Sequence, residues 1–185
     1  MGRPKKFSRE EVLDKAMPLF WRQGYADTCL QDLEKATGVN KSGLYSEFKD
    51  KEDLYLAALR RYVENGDNRA VLLEEPLGWH NIEKFLKGKL QACEQSGTKG
   101  CFLVSSMRDS ELLHPEAAEM MAEGRRRLKQ MFFKNIESEK TRLPAETVTE
   151  LLSTFFSGIC IEQNLKNSKA SLIRKVDDFI NAMKK

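Results

Sequence analysis

The sequence has no long hydrophobic run. No apolar stretch approaches the ~20 residues that a membrane-spanning helix needs, and none of signal-peptide length follows the basic N-terminus. The four cysteines, Cys29, Cys93, Cys101 and Cys160, form no CxxC or Cys/His pair with metal-finger spacing. These absences predict a soluble, cytoplasmic protein with reduced thiols, no membrane association, no metal site and no cofactor.

Motifs of the common enzyme classes are missing as well. The sequence contains no glycine-rich phosphate loop, no HExxH and no GxSxG. Ser105, Ser106 and Asp109 lack a neighbouring histidine in sequence, although His114 could approach them. We therefore expect no enzymatic activity.

A strong charge of one sign is also absent. The net charge of +3 permits nucleic-acid binding without requiring it, and residues 1–66 hold 12 basic and 11 acidic residues. Residues 1–9 carry charge of one sign, with four basic residues and no acidic one. They are predicted to form a flexible arm whose Arg3 and Lys5 contact DNA along the phosphates or in the minor groove.

Signals for helix starts and ends recur along the chain. Ser8-Arg9-Glu10-Glu11 is a capping box, in which Ser8 caps a helix and Glu11 reaches back to it. Apolar residues follow at helical spacing, although Pro18 stands among them. Gly24 is expected to end this helix as a C′ residue in the left-handed region.

Two short helices joined by a tight turn are predicted next. Thr28 opens a second capping box, Gly38 permits the turn, and Asn40 is the following N-cap. Leu44 and Phe48, four residues apart, would anchor the second helix to the core. This spacing is typical of a helix-turn-helix.

The outward face of the second helix predicts a surface for the major groove of DNA. The residues on this face are short, polar or able to bond to phosphates and base edges. They are Lys41, Ser42, Gly43, Tyr45 and Ser46. Asp50 would cap the next helix and place Lys51 where free N–H groups and a cation together favour phosphate. The alternative is an adaptor whose helix-turn-helix binds protein and not DNA.

A long ungapped run resembles the DNA-binding domain of the TetR (tetracycline repressor-like) transcriptional regulators. The residues that carry the resemblance are Phe20, Gly24-Tyr25, Thr28, Ala36-Thr37-Gly38-Val39-Asn40-Lys41-Ser42-Gly43-Leu44-Tyr45 and Phe48-x-x-Lys51-Glu52-x-Leu54. The resemblance covers about a third of the chain. It implies a three-helix module whose third helix enters the major groove.

The resemblance also implies roles for single residues. Thr28 would contact a phosphate, Tyr45 would press on the DNA backbone, and Lys51 would hold a phosphate. Lys41, Ser42 and Gly43 would lie at the DNA-facing start of the recognition helix, and Ser46 near them. Glu47 has no evident role, because an acid would repel phosphate unless it faces cytosine N4 or solvent.

The rest of the chain predicts a second, larger helical domain, and the fold class is therefore all-α. The boundary is placed where periodicity fades, which gives domains 1–62 and 63–185. Helices are expected over 79–95, 101–107, 115–140, from Pro144 onward, and through the apolar stripe of the last segment. That stripe, with part of the preceding helix, favours a homodimer interface at Phe156, Val176, Phe179, Ile180 and Met183.

The resemblance further implies a pocket for a small-molecule effector, which would release a repressor dimer from a palindromic operator. The candidate lining residues are aromatic or Met, as is usual for an apolar site: Trp79, Phe85, Phe102, Met107, Met121, Phe132 and Phe155. Cys93 and Cys101 flank one loop, so a thiol- or metal-responsive regulator remains an alternative.

Overall fold

The computed structural model describes residues 7–65, 68–165 and 167–185, with the backbone alone for residues 92–96. Over these residues the chain is all-α, as predicted, and its only β-bridge joins Thr141 to Lys184. The helices are α1 Arg9–Gln23, α2 Leu30–Thr37, α3 Lys41–Glu47, α4 Lys51–Asn65, α5 Trp79–Ser96, α6 Phe102–Ser106, α7 Pro115–Glu137, α8 Ala145–Glu162 and α9 Lys169–Met183. Two 3-10 segments, Arg69–Leu73 and Met107–Leu112, join them. Arg3 and Lys5 lie outside the described residues.

The first helix begins as the sequence predicts. The Ser8 hydroxyl accepts from the backbone N–H of Glu11, and the Glu11 carboxylate accepts from the backbone N–H of Ser8. The helix continues through Pro18, so the periodicity prevails over the proline. It ends at Gly24, whose φ of 88° is positive but whose ψ of 175° is not left-handed helical, unlike the predicted conformation.

The predicted cap of α2 is wrong by one residue. The N-cap is Cys29, whose backbone N–H donates to the Asp32 carboxylate over 3.1 Å. Thr28 is fully buried, and its hydroxyl donates to the Gly24 carbonyl over 2.6 Å. That carbonyl at the end of α1 needs a donor, which explains why Thr28 turns inward and not toward α2.

The turn between α2 and α3 follows the prediction. Gly38 adopts the left-handed conformation, and the Asn40 side chain accepts from the backbone N–H of Gly43. Val39 fills the corner between the helices, and Leu44 and Phe48 are buried at most 2% exposed. Three apolar anchors therefore fix the orientation of α3.

The remaining helices pack into a second layer that shares one continuous core with the first four. α7 packs on α8 and α5 on α9, while α4 contacts both α6 and α7. The predicted boundary at residues 62/63 falls inside α4, which continues to Asn65. None of the described helices is both long and apolar enough to cross a membrane.

The apolar stripe of α8 and α9 is divided differently from the prediction. Phe156, Val176 and Ile180, expected at a dimer interface, are buried in the core of their own chain. Leu151, an apolar residue of α8, is 41% exposed. Phe179 and Met183 are half-buried, and the Phe179 ring stacks on Phe155 at 4.3 Å.

Candidate nucleic-acid interface

The outward face of α3 carries the predicted polar side chains. Lys41, Ser42 and Ser46 are exposed, and Tyr45 is 39% exposed. The Lys41 ammonium lies 5.9 Å from the centre of the Tyr45 ring. One short helix thus brings a cation, hydroxyls and an aromatic ring to one surface, which is the chemistry that binds phosphates and base edges.

Gly43 is required here by its neighbours within the protein. A Cβ at this position would lie 2.6 Å from Val39 Cγ1 and 3.2 Å from the Asn40 oxygen that caps α3. It would also press on the Phe7 ring, at 3.2 Å. The absent side chain therefore lets the turn and the start of α3 close together.

Lys51 has a structural role that the sequence did not reveal. Its ammonium donates to the backbone carbonyls of Tyr25 and Thr28 over 2.9 and 3.0 Å, and it lies 4.3 Å from the centre of the Tyr25 ring. Lys51 thus fastens the start of α4 to the loop between α1 and α2. Two of its three N–H groups are used in these bonds, which leaves one for the predicted phosphate contact.

Thr28, predicted to contact phosphate, has no exposed surface in this structure because its hydroxyl closes the end of α1. Glu47 is half-buried at the end of α3, and its backbone carbonyl accepts from the Arg9 guanidinium. The same guanidinium stacks over the Phe48 ring at 4.1 Å. The end of α3 is therefore held by α1.

The 3-10 segment Met107–Leu112 clamps the end of α1. The buried Asp109 carboxylate accepts from the backbone N–H of Tyr25 over 2.7 Å, and Arg108 donates to the Gln23 carbonyl over 2.6 Å. A Cβ at Gly24 would lie 1.9 Å from the Arg108 guanidinium and 2.6 Å from the Asp109 carboxylate, so a larger residue would displace this clamp, and the positive φ also favours glycine.

Helix α6 reinforces the same contact. The Tyr55 hydroxyl donates to Ser106 over 2.7 Å, and the Phe102 ring stacks on Trp21. Burial raises the pKa of Tyr55 to about 12, so its hydroxyl stays protonated and available as a donor. Helices α1 and α4, which flank the helix-turn-helix, are therefore joined to the second layer through these contacts.

A cavity of about 360 Å³ lies on the other side of α6. Phe85, Phe132 and Phe156 form one wall, with ring centres 5.5 to 6.1 Å apart. The remaining lining residues come from several elements: Tyr62, Arg69, Cys101, Leu103, Val104, Gly124, Arg125, Arg126, Leu128, Lys129, Glu150, Ser153, Thr154 and Ser157.

Two of the seven predicted pocket residues, Phe85 and Phe132, line this cavity. Trp79 and Met121 are buried elsewhere in the core, and Met107 is 43% exposed on the 3-10 segment. Phe102 stacks on Trp21 of α1, and Phe155 stacks on Phe179 of α9. Aromatic content alone therefore does not separate cavity lining from core.

The cavity also contains residues that the sequence analysis missed. Arg69 lies in a segment without clear periodicity, yet it is only 9% exposed and donates to the Tyr62 and Val63 carbonyls at the end of α4. Ser153 and Ser157 stand four residues apart on α8, a spacing that could have indicated a shared polar face.

Cys101 is at the cavity wall, and its sulfur accepts from the Tyr62 hydroxyl over 3.4 Å. The buried Lys89 ammonium lies 3.2 Å from the same hydroxyl, and burial lowers the pKa of this lysine. The side chain of Cys93 is outside the described residues. Among the residues that are described, no group of three or more His, Cys, Asp or Glu could hold a metal ion.

Residues 12–58 match the model of a family described as bacterial regulatory proteins, tetR family. The HTH-type transcriptional repressor ComR of Escherichia coli (strain K12) is 54% identical over 63 residues, which are 34% of this chain and 30% of ComR. This alignment spans less than a third of ComR's own length. The HTH-type transcriptional regulator YezE of Bacillus subtilis (strain 168) is 31% identical over 137 residues, or 72% of this chain and 70% of YezE.

The fold is also similar to a solved structure that contains DNA. A cysteine mutant of the TetR family transcriptional regulator CifR, in complex with 26-bp double-strand operator DNA, matches with a TM-score of 0.83. The match covers 98% of this chain and 100% of that chain, at 22% sequence identity. At this identity the likeness concerns the fold.

Proposed function

Because this chain belongs to the TetR family of helix-turn-helix transcriptional regulators, which are not enzymes, we propose that it represses transcription from a palindromic operator. It binds the operator as a homodimer and leaves it when a small molecule fills the cavity beside α6. The DNA-binding unit is residues 1–62, and residues 63–185 bind the effector and the second subunit.

The polar face of α3 is the observation that carries this proposal. Lys41, Ser42, Tyr45 and Ser46 project from a helix that three buried anchors hold in place. A recognition helix needs this combination, because base contacts depend on a fixed orientation. The repressor ComR and the operator-bound CifR support the same reading by similarity.

The dimer interface is proposed on the exposed apolar surface of α8 and its C-terminal turn. Leu151, Ile161 and Leu165 are 41%, 58% and 58% exposed, and Gly158 lies between them with open space around its Cβ position. The stacked pair Phe155 and Phe179 borders this surface. An exposed apolar surface of this kind is suited to the same surface of a second subunit.

The cavity and the DNA-binding surface communicate through α6. Leu103 and Val104 line the cavity, while Phe102 and Ser106 on the same helix contact Trp21 of α1 and Tyr55 of α4, the helices that flank the helix-turn-helix. A ligand that displaces α6 would therefore move Arg108 and Asp109, which clamp the end of α1. This movement would change the separation of the two recognition helices in the dimer. Such coupling requires only that the ligand prefer one of two arrangements.

Footprinting on the DNA that flanks the gene of this protein tests the proposal. We expect a two-fold symmetric protected site with half-sites about 34–36 Å apart, and affinity that falls steeply as salt increases. If no site is protected and the affinity for DNA does not change with salt, the protein is better described as an adaptor whose helix-turn-helix binds protein.

Variants on α3 test the assigned surface. Lys41→Ala and Tyr45→Ala should weaken operator binding by roughly 1–3 kcal/mol each without lowering thermal stability, and Lys41→Ala should reduce the salt slope by about 1. Arg174→Ala is the control, since Arg174 is exposed on α9. Unchanged affinity in both α3 variants would remove α3 from the DNA interface.

Thiol-dependent release is a second candidate, favoured by the position of Cys101 beside Tyr62 and Lys89 at the cavity. N-ethylmaleimide is a suitable probe: the sulfur adds to its alkene, and solvent supplies the proton to the neighbouring carbon. In a Cys29→Ser background, which removes an exposed thiol, modification of Cys101 should release DNA. Equal release in the Cys29→Ser/Cys101→Ser variant would exclude Cys101 as the sensor.

A further inference from the structure

The recognition helix is too short to fix its own orientation. Helix α3 has seven residues, Lys41–Glu47, which make about two turns, and isolated helices of this length are marginal in water. Its apolar anchors attach one side of it to the core. The angle of α3 to the core then depends on the contacts that hold its two ends.

The start of α3 is held from within the helix-turn-helix. The Asn40 side chain accepts from the backbone N–H of Gly43 over 2.9 Å. The Glu34 carboxylate of α2 accepts from the backbone N–H of Lys41. Two of the N–H groups that a helix start leaves without an internal partner are thereby bonded. The position of this end is therefore set by α2 and the turn.

The end of α3 is held from outside the helix-turn-helix. Phe48, which follows α3, is extended, with φ of −131° and ψ of 134°, so the left-handed closure common at helix ends is not used here. The Glu47 carbonyl instead accepts from the guanidinium of Arg9, which is the first residue of α1 and lies 38 positions earlier. The helix dipole also favours a cation at this end.

Arg9 makes two contacts with one planar group. Its guanidinium carbon lies 4.1 Å from the centre of the Phe48 ring, which is 2% exposed, while the group donates to Glu47. Arginine can do both because its planar group stacks on a ring face and donates in its own plane. The side chain is half-buried, and the capping box of Ser8 and Glu11 fixes the start of α1 beside it. Arg9 therefore links the start of α1 firmly to the end of α3.

The last turn of α3 contains two of the side chains assigned to the DNA surface. Tyr45 and Ser46 directly precede Glu47, whereas Lys41 is at the end that Glu34 holds. A shift of the last turn would move Tyr45 and Ser46 relative to the base edges and leave Lys41 in place. Base contacts carry the sequence information and depend on a fixed geometry, while phosphate contacts carry none directly.

We propose that Arg9 is a positioning residue for sequence readout: it holds the last turn of α3 at the angle at which its side chains reach the base edges. It acts through Glu47 and Phe48 and does not itself touch DNA. This inference rests on the proposed function, since it concerns the helix that reads the operator. Loss of the Arg9 contacts should lower the ratio of operator affinity to affinity for unrelated DNA, and not the affinity for DNA in general.

Arg9→Lys tests this role because it keeps the charge. An ammonium lacks the planar group that stacks on Phe48 while it donates to Glu47. The probes are the duplex protected in footprinting and a scrambled duplex of the same length and composition, measured by fluorescence anisotropy at several salt concentrations. Arg9→Lys should bind the operator about tenfold more weakly, with affinity for the scrambled duplex within about twofold of the wild type and an unchanged salt slope.

A phosphate contact by Arg9 itself would give a different pattern. In that case Arg9→Met would weaken both duplexes and reduce the salt slope by about 1, and Arg9→Lys would restore wild-type binding. Our proposal expects both variants to lose the preference for the operator. Arg174→Lys, an exposed substitution on α9, is the matched control and should bind both duplexes as the wild type does. Wild-type preference in Arg9→Lys, or equal weakening of the two duplexes, would overturn the proposal.

Hydrogen exchange without DNA tests where Arg9 acts. The Phe48 amide, which donates to the Leu44 carbonyl over 3.0 Å, should exchange faster in Arg9→Lys. The Gly43 amide, which Asn40 caps, should exchange as in the wild type. Unchanged exchange at Phe48 would show that Arg9 does not hold this end of α3, and equal acceleration at both amides would show a general loosening of the helix. Either result contradicts the positioning role.

Failure of the proposed function and failure of this inference give different results. A wild type that protects no site, or binds the operator and the scrambled duplex equally, removes the proposed function and with it the role of Arg9 in readout. A wild type that prefers the operator, together with an Arg9→Lys variant that keeps this preference, removes only the role of Arg9.

Discussion

A single buried amide, Asn135 of α7, holds three separate segments together. Its nitrogen donates to the carbonyls of Leu72 and Met131, both over 2.8 Å. Its oxygen accepts from the Gly78 backbone N–H over 3.0 Å and from the Asn81 side chain over 3.1 Å. All four hydrogen-bonding positions of the amide are used, so the segment that leads into α5 is fixed on α7.

Replacing Asn135 by alanine should therefore cost about 3 kcal/mol of unfolding free energy, because it leaves buried donors and acceptors without their partner. Asn181→Ala, at an exposed position of α9, should change stability by less than about 0.5 kcal/mol. Urea unfolding of both variants measures the difference. Equal stability would mean that water replaces the Asn135 amide at no cost.

Lys89 should make stability depend on pH. Burial lowers its pKa in the folded chain, although Cys101 and Cys160 oppose the shift, so between the folded value and 10.5 the unfolded chain binds more protons. Stability then increases with pH across this window, by at most about 1.4 kcal/mol per pH unit. Lys89→Met should lack the increase, whereas Lys35→Met, at an exposed site, should keep it.

Urea unfolding between pH 7 and 9 measures this dependence. The wild type should gain stability relative to Lys89→Met as the pH rises. Parallel pH profiles for the two proteins would show that Lys89 keeps its charge in the folded state.

At the scale of elements, α6 and the following 3-10 segment join the two layers. Asp109 is only 4% exposed and accepts from Tyr25, while Lys51 holds the carbonyl of the same residue. The loop between α1 and α2 is thus fastened from both sides. Its position sets the orientation of the helix-turn-helix relative to the cavity.

Asp109→Ala should release this loop. The Tyr25 N–H would lose its acceptor, so hydrogen exchange at Tyr25 and its neighbours should accelerate while α8 exchanges as in the wild type. The operator should still be bound, but ligand-induced release should weaken because the clamp no longer transmits the movement of α6. Ser110→Ala, a neighbouring half-buried site whose hydroxyl donates to the Met107 carbonyl within the same 3-10 segment, is the control. Unchanged exchange at Tyr25 would show that Asp109 does not hold the loop.

Elements were predictable from sequence where one local signal dominates. Ser8, Asn40 and Pro115 each mark a helix start correctly, because no other residue nearby competes for the role. The prediction that Thr28 caps α2 was wrong. A threonine hydroxyl can bond to the end of the preceding helix as well as to the start of the following one, and only tertiary packing decides between them. Lys51 and Asp109 could not be assigned, since their partners are distant in sequence.

At the scale of the whole molecule, the apolar surface of α8 is divided between the core and the outside. Periodicity predicted a wide stripe on α8 and α9, but it could not tell which part faces the chain's own core. Phe156 and Ile180 are inside, and Ile161 is outside. The same ambiguity affected the cavity, whose cations come from segments that no periodic pattern connects.

A charged side chain should have different effects on the exposed surface of α8 and in the core. Ile161→Asp should produce a folded monomer, because the side chain is 58% exposed in one chain and would be buried against a second. Ile180→Asp should instead lower the melting temperature, because its carboxylate would enter the core. Leu112→Asp, 63% exposed on the 3-10 segment, is the control. Sedimentation velocity and circular dichroism distinguish these results, and a dimeric Ile161→Asp would place the interface elsewhere.

The position of α6 also separates two properties that a designer of biosensors would want to change independently. The cavity face of α7 and α8 contains Arg125, Ser153 and Ser157, none of which touches the clamp at Asp109 or the recognition helix. Libraries restricted to these positions can therefore search for new inducers while the promoter stays the same. Exchange of residues on α3 would redirect the same sensor to another promoter.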